Sequence, residues 1–350
     1  MEKLTCPPQE LVLFCRQLQV MMASGVPIYQ ALEVLKERED QPGFSRAVDT
    51  LAQRIGQGHR LSRALRLFPR VFDMVFASLV AVGEETGQLD KCLERLARWK
   101  ERDLEIRRKI VSALTYPALV LLLTAAMTFF LFTFILPGFI EVFANMGAEL
   151  PLPTKVLITL TNMVASPVFW LLAIVLGVFS TQAFTRYARS DRGSVELTLL
   201  LLTVPLLGPM VLNASIARFA ASVATMLDSG MDLTRALALG AQATGNPAIR
   251  QDSNRVLQDI RMGALTSLTL SVRPDLYPNN LIQMVSVGEE ASDMAEMFKR
   301  AAEFHEEEAN HLVDTLGAAL EPLLLAGVAF LLGFVLISVF LPLYSHLDKL

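Results

Sequence analysis

The residues with the most chemical potential in this chain are few. Gly83-Glu84-Glu85-Thr86-Gly87 sets two adjacent carboxylates between glycines. Two carboxylates form an acid/base pair only when they converge on one substrate atom. Neighbours on a helix diverge by about 100°, which argues against that chemistry. Two other readings stand side by side. One is a docking point for a partner. The other is a helix stop at Gly83, with Thr86 or the carboxylates supporting the start of the next helix. His305-Glu306-Glu307-Glu308 and His311 have the residue types of a metal site. Zinc-binding histidines sit at i, i+4 on one helix face; the spacing here is six, and a solvated acidic helix face is expected instead. Cys6, Cys15 and Cys92 read as reduced packing residues. No Gly-x-x-x-x-Gly-Lys loop and no Gly-x-Ser-x-Gly elbow occurs. No catalytic residue, metal ligand or cofactor is expected.

The elements around these residues are organised by an uneven hydropathy. The 350 residues are 53% hydrophobic and 19% charged, more apolar and less charged than a soluble domain. A net charge of −4 and a pI near 5.7 give no basic field for nucleic acid. Ile110–Ile140, Val156–Thr185 and Pro322–Leu347 contain no Asp, Glu, Lys or Arg. Each exceeds the roughly 20 residues that a helix needs to cross a hydrocarbon core. A fourth uncharged run, Leu197–Ala217, is interrupted by Pro205, Gly208 and Pro209.

An internal repeat decides how to treat that fourth run. Adding 205 to the first half reproduces the second. Phe14 meets Phe219, Ser24-Gly25 meets Ser229-Gly230, and Ala31-Leu32 meets Ala236-Leu237. Val82-Gly83-Glu84-Glu85 meets Val287-Gly288-Glu289-Glu290, and Leu136-Pro137 meets Leu341-Pro342. The unit is a polar domain followed by one span. For both domains to lie on one side, an even number of crossings must separate them. Leu197–Ala217 then does not cross and becomes the first apolar helix of the second domain. Arg107, Arg108 and Lys109 precede the first span and Arg186, Arg189 and Arg192 follow the second, whereas 138–166 holds only Lys155. Lys and Arg mark the cytoplasmic side.

Apolar residues at helical spacing, such as Phe14, Leu18 and Met22, predict helices throughout. The expected fold is an all-α integral membrane protein with two homologous cytoplasmic helical bundles, about six helices each, and three transmembrane helices. Residues 1–112 form the first bundle, 113–137 the first span, 138–160 a loop on the outer side (periplasmic, if the membrane is a bacterial inner one) and 161–185 the second span. Residues 186–316 form the second bundle, 317–343 the third span and 344–350 a short periplasmic tail. Ser62 is expected to cap a short helix ending at Pro69. Glu321 lies at the mouth of the third span where the first copy has Tyr116; an ionisable residue there is a functional candidate. Residues 1–117 carry 18 Lys and Arg against 15 Asp and Glu, and residues 185–321 carry 11 against 17. Opposite fields on related folds select different partners, or each other.

These residues together resemble the inner-membrane platform proteins of type II secretion and type IV pilus systems (the GspF/PilC family). The resemblance is carried by Phe14…Leu18…Ser24-Gly25-Val26-Pro27, Val82 to Leu89 and Tyr116-Pro117, then by Ala217-Arg218-Phe219, Ser229-Gly230-Met231, Val287 to Glu290 and Glu321-Pro322. The second copy departs from the first at Ala291-Ser292-Asp293-Met294, where the closing glycine is lost. The resemblance implies a non-enzymatic scaffold in a bacterial inner membrane, its N-terminus cytoplasmic and its C-terminus periplasmic. Its implied partners are a hexameric cytoplasmic ATPase, pilin or pseudopilin subunits, other inner-membrane assembly proteins, membrane lipids and further copies of itself, with no nucleic acid. Glu84, Glu85, Thr86, Gly87, Glu289, Glu290 and Glu321 are the candidates for partner contact or domain registry. A solute transporter or channel built from parallel repeats is the competing class; the span interiors lack the ionisable residues it would need.

Overall fold

The computed structural model describes residues 6–38, 42–139 and 152–347, and among them every regular element is helical. The chain divides into two compact units, one of residues 1–109 with 194–312, the other of 110–193 with 313–350.

The first unit holds both copies of the repeat. The first copy runs α1 (Pro8–Ala23), α2 (Ile28–Arg38), α3 (Pro42–Gly56), α4 (Leu61–Leu65), α5 (Met74–Thr86) and the start of α6 (Leu89–Phe130). After α7 (Leu152–Ala165), α8 (Pro167–Arg189) and α9 (Asp191–Leu202), the second copy repeats the order. It runs α10 (Leu207–Asp228), α11 (Leu233–Ala243), α12 (Pro247–Arg261), α13 (Thr266–Ser271), α14 (Asn279–Ala291) and α15 (Met294–Leu347). Six helices per copy match the expectation. The bundles form because each helix carries an apolar stripe too narrow to be satisfied alone. Burial of that stripe is the main stabilising term. Leu11, Phe14 and Leu18 of α1 are buried with Leu32, Phe44, Leu51, Phe72 and Phe76. Phe14, Phe44, Phe72 and Phe76 form a chain of tilted and edge-to-face rings, 5.0–6.2 Å between centroids. The second copy keeps Phe219 but replaces Phe72 by Tyr277, whose phenol is buried beside Asp252 and titrates far above its ordinary range. Asp252 is in turn gripped by Arg255 at 2.7 and 2.9 Å.

The uncharged segment Leu197–Ala217, expected as one helix, is two. α9 ends at Leu202, and α10 begins at Leu207 after a turn through Pro205 and Leu206, whose φ is +66°. Proline and the left-handed backbone account for the break. α10 has a span's length and hydropathy, yet 61% of its apolar window is buried inside the protein, against 0–17% for the other three such helices. Its apolar residues face protein: Ile216, Phe219, Val223 and Met226 are core.

The second unit comprises the continuations of α6 and α15 with α7 and α8. α6 passes through Pro117 and leads into a π-helical turn at Leu131–Ile135. Its small core joins Phe132, Leu136, Leu157, Val335 and Val339, and Thr154 Oγ1 donates to the Ser338 carbonyl at 2.7 Å. Outward it presents Phe134, Leu171, Phe179 and Phe330, each more than 60% exposed, a surface suited to hydrocarbon. The stretch 138–160, expected as a loop, carries α7 from Leu152 onward; residues 140–151 and 348–350 lie outside the described residues.

Candidate functional site

The Gly-Glu-Glu segment does not stop a helix at Gly83. α5 is capped by Asp73, whose side chain accepts from the Phe76 N–H at 2.8 Å and pairs with Lys100 at 2.5 Å. It continues through Gly83 to Thr86 and is closed by Gly87 at φ +70°. Gly83 serves a different need. A Cβ there would sit 3.0 Å from the Leu89 Cα and from the Cys92 Cβ. Its absence lets the first turn of α6 lie against α5. Thr86 Oγ1 donates to its own helix at the Val82 carbonyl, 2.8 Å away, and caps nothing downstream.

Glu84 turns away from that junction and reaches α4. Its Oε1 accepts the Leu61 N–H at 2.6 Å; its Oε2 accepts the Ser62 N–H at 3.3 Å and the Ser62 hydroxyl at 2.5 Å. Arg60, at the N-cap of α4, supplies no side-chain cap. The first backbone N–H groups of a helix have no intrahelical acceptor. A carboxylate from 23 positions away satisfies them and complements the positive end of the helix. Ser62, expected as the cap, is instead a donor to it. The helix ends at Leu65 rather than near Pro69.

The second copy repeats the device. Glu289 accepts from the Thr266 N–H, from the Ser267 N–H at 3.2 Å and from the Ser267 hydroxyl at 2.5 Å. Gly288 packs against Met297 and Met294. The lost closing glycine is Ser292, which takes the same left-handed conformation at φ +56°. The turn survives at a steric cost of about 1–2 kcal/mol.

The seven candidates thus separate. Glu84 and Glu289 link α5 to α4 and α14 to α13 by hydrogen bonds. Glu85, Thr86, Gly87, Glu290 and Glu321 are exposed, and Glu84 and Glu289 are half-buried. His305 is not on a solvated face. It is 1% exposed, with Nδ1 2.6 Å from the Asn213 Oδ1. Burial pushes its pKa down to about 4, so the ring is neutral and structural. Among the described residues no group of His, Cys, Asp and Glu is arranged for a metal ion. Cys15 is fully buried, and burial pushes its thiol up to about 12.

Sequence reasoning allowed for pairing of the two copies but missed the residues that make it. α5 packs on α11. Arg95 donates to the Ser229 hydroxyl at 3.0 Å, and Arg218 lies 3.7 Å from Asp103. It also missed a contrast on one shared framework. Arg54, His59, Arg60, Arg63 and Arg66 are exposed around α4. Their counterparts are Asp259, Ala264, Leu265, Leu268 and Ser271. The opposite charge balance of the halves was the available signal.

This is the build of a membrane scaffold: duplicated helical bundles joined to helices long and apolar enough to cross a bilayer. The chain belongs to the family of type II secretion system protein F, whose profile matches residues 14–137 and again 219–342. Those two intervals are related by the same 205-residue offset that the sequence shows. Its relatives include the type IV pilus assembly protein PilC of Pseudomonas aeruginosa, 32% identical over 97% of this chain and 90% of that protein. PilC of Thermus thermophilus is 31% identical over 98% and 84%. The type II secretion system protein F of P. aeruginosa is 30% identical over 96% and 82%.

Proposed function

We propose that this protein is an inner-membrane platform for assembling a type IV pilus or a type II secretion pseudopilus. It couples a cytoplasmic assembly ATPase to the extraction and polymerisation of pilin-like subunits. The observation that carries the reading is the match of both halves to one assembly-protein family, on a fold with helices long and apolar enough to cross a membrane. In this reading both bundles are cytoplasmic and receive ATPase motion. The spans present apolar surface to pilin helices, and the chain works as a homo-oligomer among other assembly proteins. The basic flanks of the first two spans support that topology. So does α10, whose apolar residues are already occupied by protein.

The test is an in-frame deletion in the source bacterium, complemented from a plasmid. Loss of surface fibres or of secreted protein, restored by the wild-type copy, is the expected result. Glu85→Lys with Glu290→Lys should reach the membrane at normal levels without restoring assembly. Normal fibres and normal secretion in the deletion would overturn the reading. Solute uptake by vesicles reconstituted with the pure chain would favour the transporter class instead.

A further inference from the structure

The contact between the two bundles is not symmetric. The first copy uses its α5–α6 face. The second uses a different face, made by α10, α11 and the start of α15: Arg95 meets Ser229, Asp103 meets Arg218, and Arg102 lies 4.0 Å from Glu306. A contact between unlike faces of like bodies leaves one of each face unused. Here the second copy keeps its own α14–α15 face, the counterpart of α5–α6. The first copy keeps its α1–α2–α6 face, the counterpart of α10–α11–α15.

Both unused faces show the apolar residues that the used ones bury. Val82 is 5% exposed and its counterpart Val287 53%; Trp99 is 7% exposed and its counterpart Phe304 37%. On the receiving side Leu239 is 8% exposed and its counterpart Val34 41%. The polar pair is preserved as well, since Arg300 and Ser24 occupy the positions of Arg95 and Ser229 and both are exposed. Where α10 and α15 receive α6, the matching groove between α1 and α6 is an open cavity of about 300 Å³, with Val12, Leu13, Arg16, Leu104 and Arg108 among its walls.

We infer that the intrachain contact is repeated between chains: the α14–α15 face of one copy docks into the α1–α2–α6 face of a second copy of this chain, head to tail. Charge does not drive this contact: Arg16 is already paired with Glu101 at 3.6 Å, and the positions of Arg102 and Glu306 become Glu307 and Glu101, which carry like charge. Glu101 and Glu105 also line the receiving groove. The apolar residues and the Arg300–Ser24 pair therefore carry the contact. A head-to-tail contact closes into a ring or extends as a row. The inference supplies the interface for the homo-oligomer proposed above and rests on that reading only in requiring self-association.

The test is cross-linking in membranes, in a Cys6→Ser background; Cys15 and Cys92 are buried. Two differently tagged full-length chains, one with Val34→Cys and one with Val287→Cys, are co-expressed and treated with a short bis-maleimide. The expected product carries both tags. A chain holding both cysteines gives a ladder beyond the dimer, and neither single-cysteine chain links to itself. Phe304→Glu, whose intrachain counterpart Trp99 is untouched, should cut the two-tag product at least tenfold at unchanged membrane levels. Self-linking of a single-cysteine chain would show a two-fold contact and overturn the inference. Absence of the two-tag product from a chain that is oligomeric by light scattering would overturn it while leaving the homo-oligomer standing. A monomeric chain would overturn both.

Discussion

Glu84→Ala tests whether the Gly-Glu-Glu segment sets the registry of α4 on α5. The substitution removes the acceptor of the Leu61 N–H, the Ser62 N–H and the Ser62 hydroxyl. Leu61 and Ser62 are 1% and 7% exposed, so water reaches these donors poorly. Losing a helix cap costs about 0.5–2 kcal/mol, and a buried donor left without a partner costs about 1–3 kcal/mol. The two overlap, because the cap is the partner, and a total of about 2–4 kcal/mol is expected. For a unit of this size each kcal/mol moves the midpoint by about 2–4 °C, so the variant should melt about 4–16 °C below the wild type. Glu84→Gln keeps one oxygen but turns an amide N–H toward a donor, and should fall between the two. Glu85→Ala, on the exposed side, should change stability by less than about 0.5 kcal/mol. The assay is thermal unfolding of the full chain in one detergent, followed by circular dichroism. If Glu84→Ala melts with the wild type, or if Glu85→Ala is equally damaging, the registry argument fails.

Other substitutions probe the same framework. Ser292→Gly relieves the left-handed backbone of a residue with a Cβ and should raise stability by about 1 kcal/mol in the same melt. Gly83→Ala drives a methyl group toward the Leu89 Cα and the Cys92 Cβ, and Gly288→Ala toward the Met297 Cβ and Cγ, each 3.0 Å away; both should cost about 1–3 kcal/mol. His305 is neutral when folded, with a pKa near 4 against an ordinary 6.5. Its contribution is complete above pH 6.5 and is lost as pH falls from there through about 4. That loss amounts to about 3 kcal/mol, and His305→Gln should flatten the acid limb of a stability–pH curve.

Much of the architecture was legible in the residues. Helical spacing of Phe14, Leu18 and Met22, the three uncharged runs and the fixed offset of 205 gave the fold class and the pairing of the halves. These are local or periodic properties, written along the chain. The helix stop placed at Gly83 was a misreading, because a glycine that ends a helix and one that admits a neighbouring helix look alike in one dimension. Only the approach of Leu89 and Cys92 separates the two. His305 was misread for the same reason: its acidic neighbours in sequence say nothing of Asn213, which lies across the fold.

The sequence by itself determined that two related bundles and several apolar helices exist. Repetition also marked Glu84, Glu85, Glu289 and Glu290 as candidates, without separating one carboxylate of each pair from the other. Tertiary structure decided what they do, because a carboxylate's role depends on the donors brought to it, and those of α4 arrive from 22–23 residues away. It also decided which faces of the two copies meet. Identical folds can join through like or unlike faces, and that choice is set by surface complementarity among side chains distant in sequence.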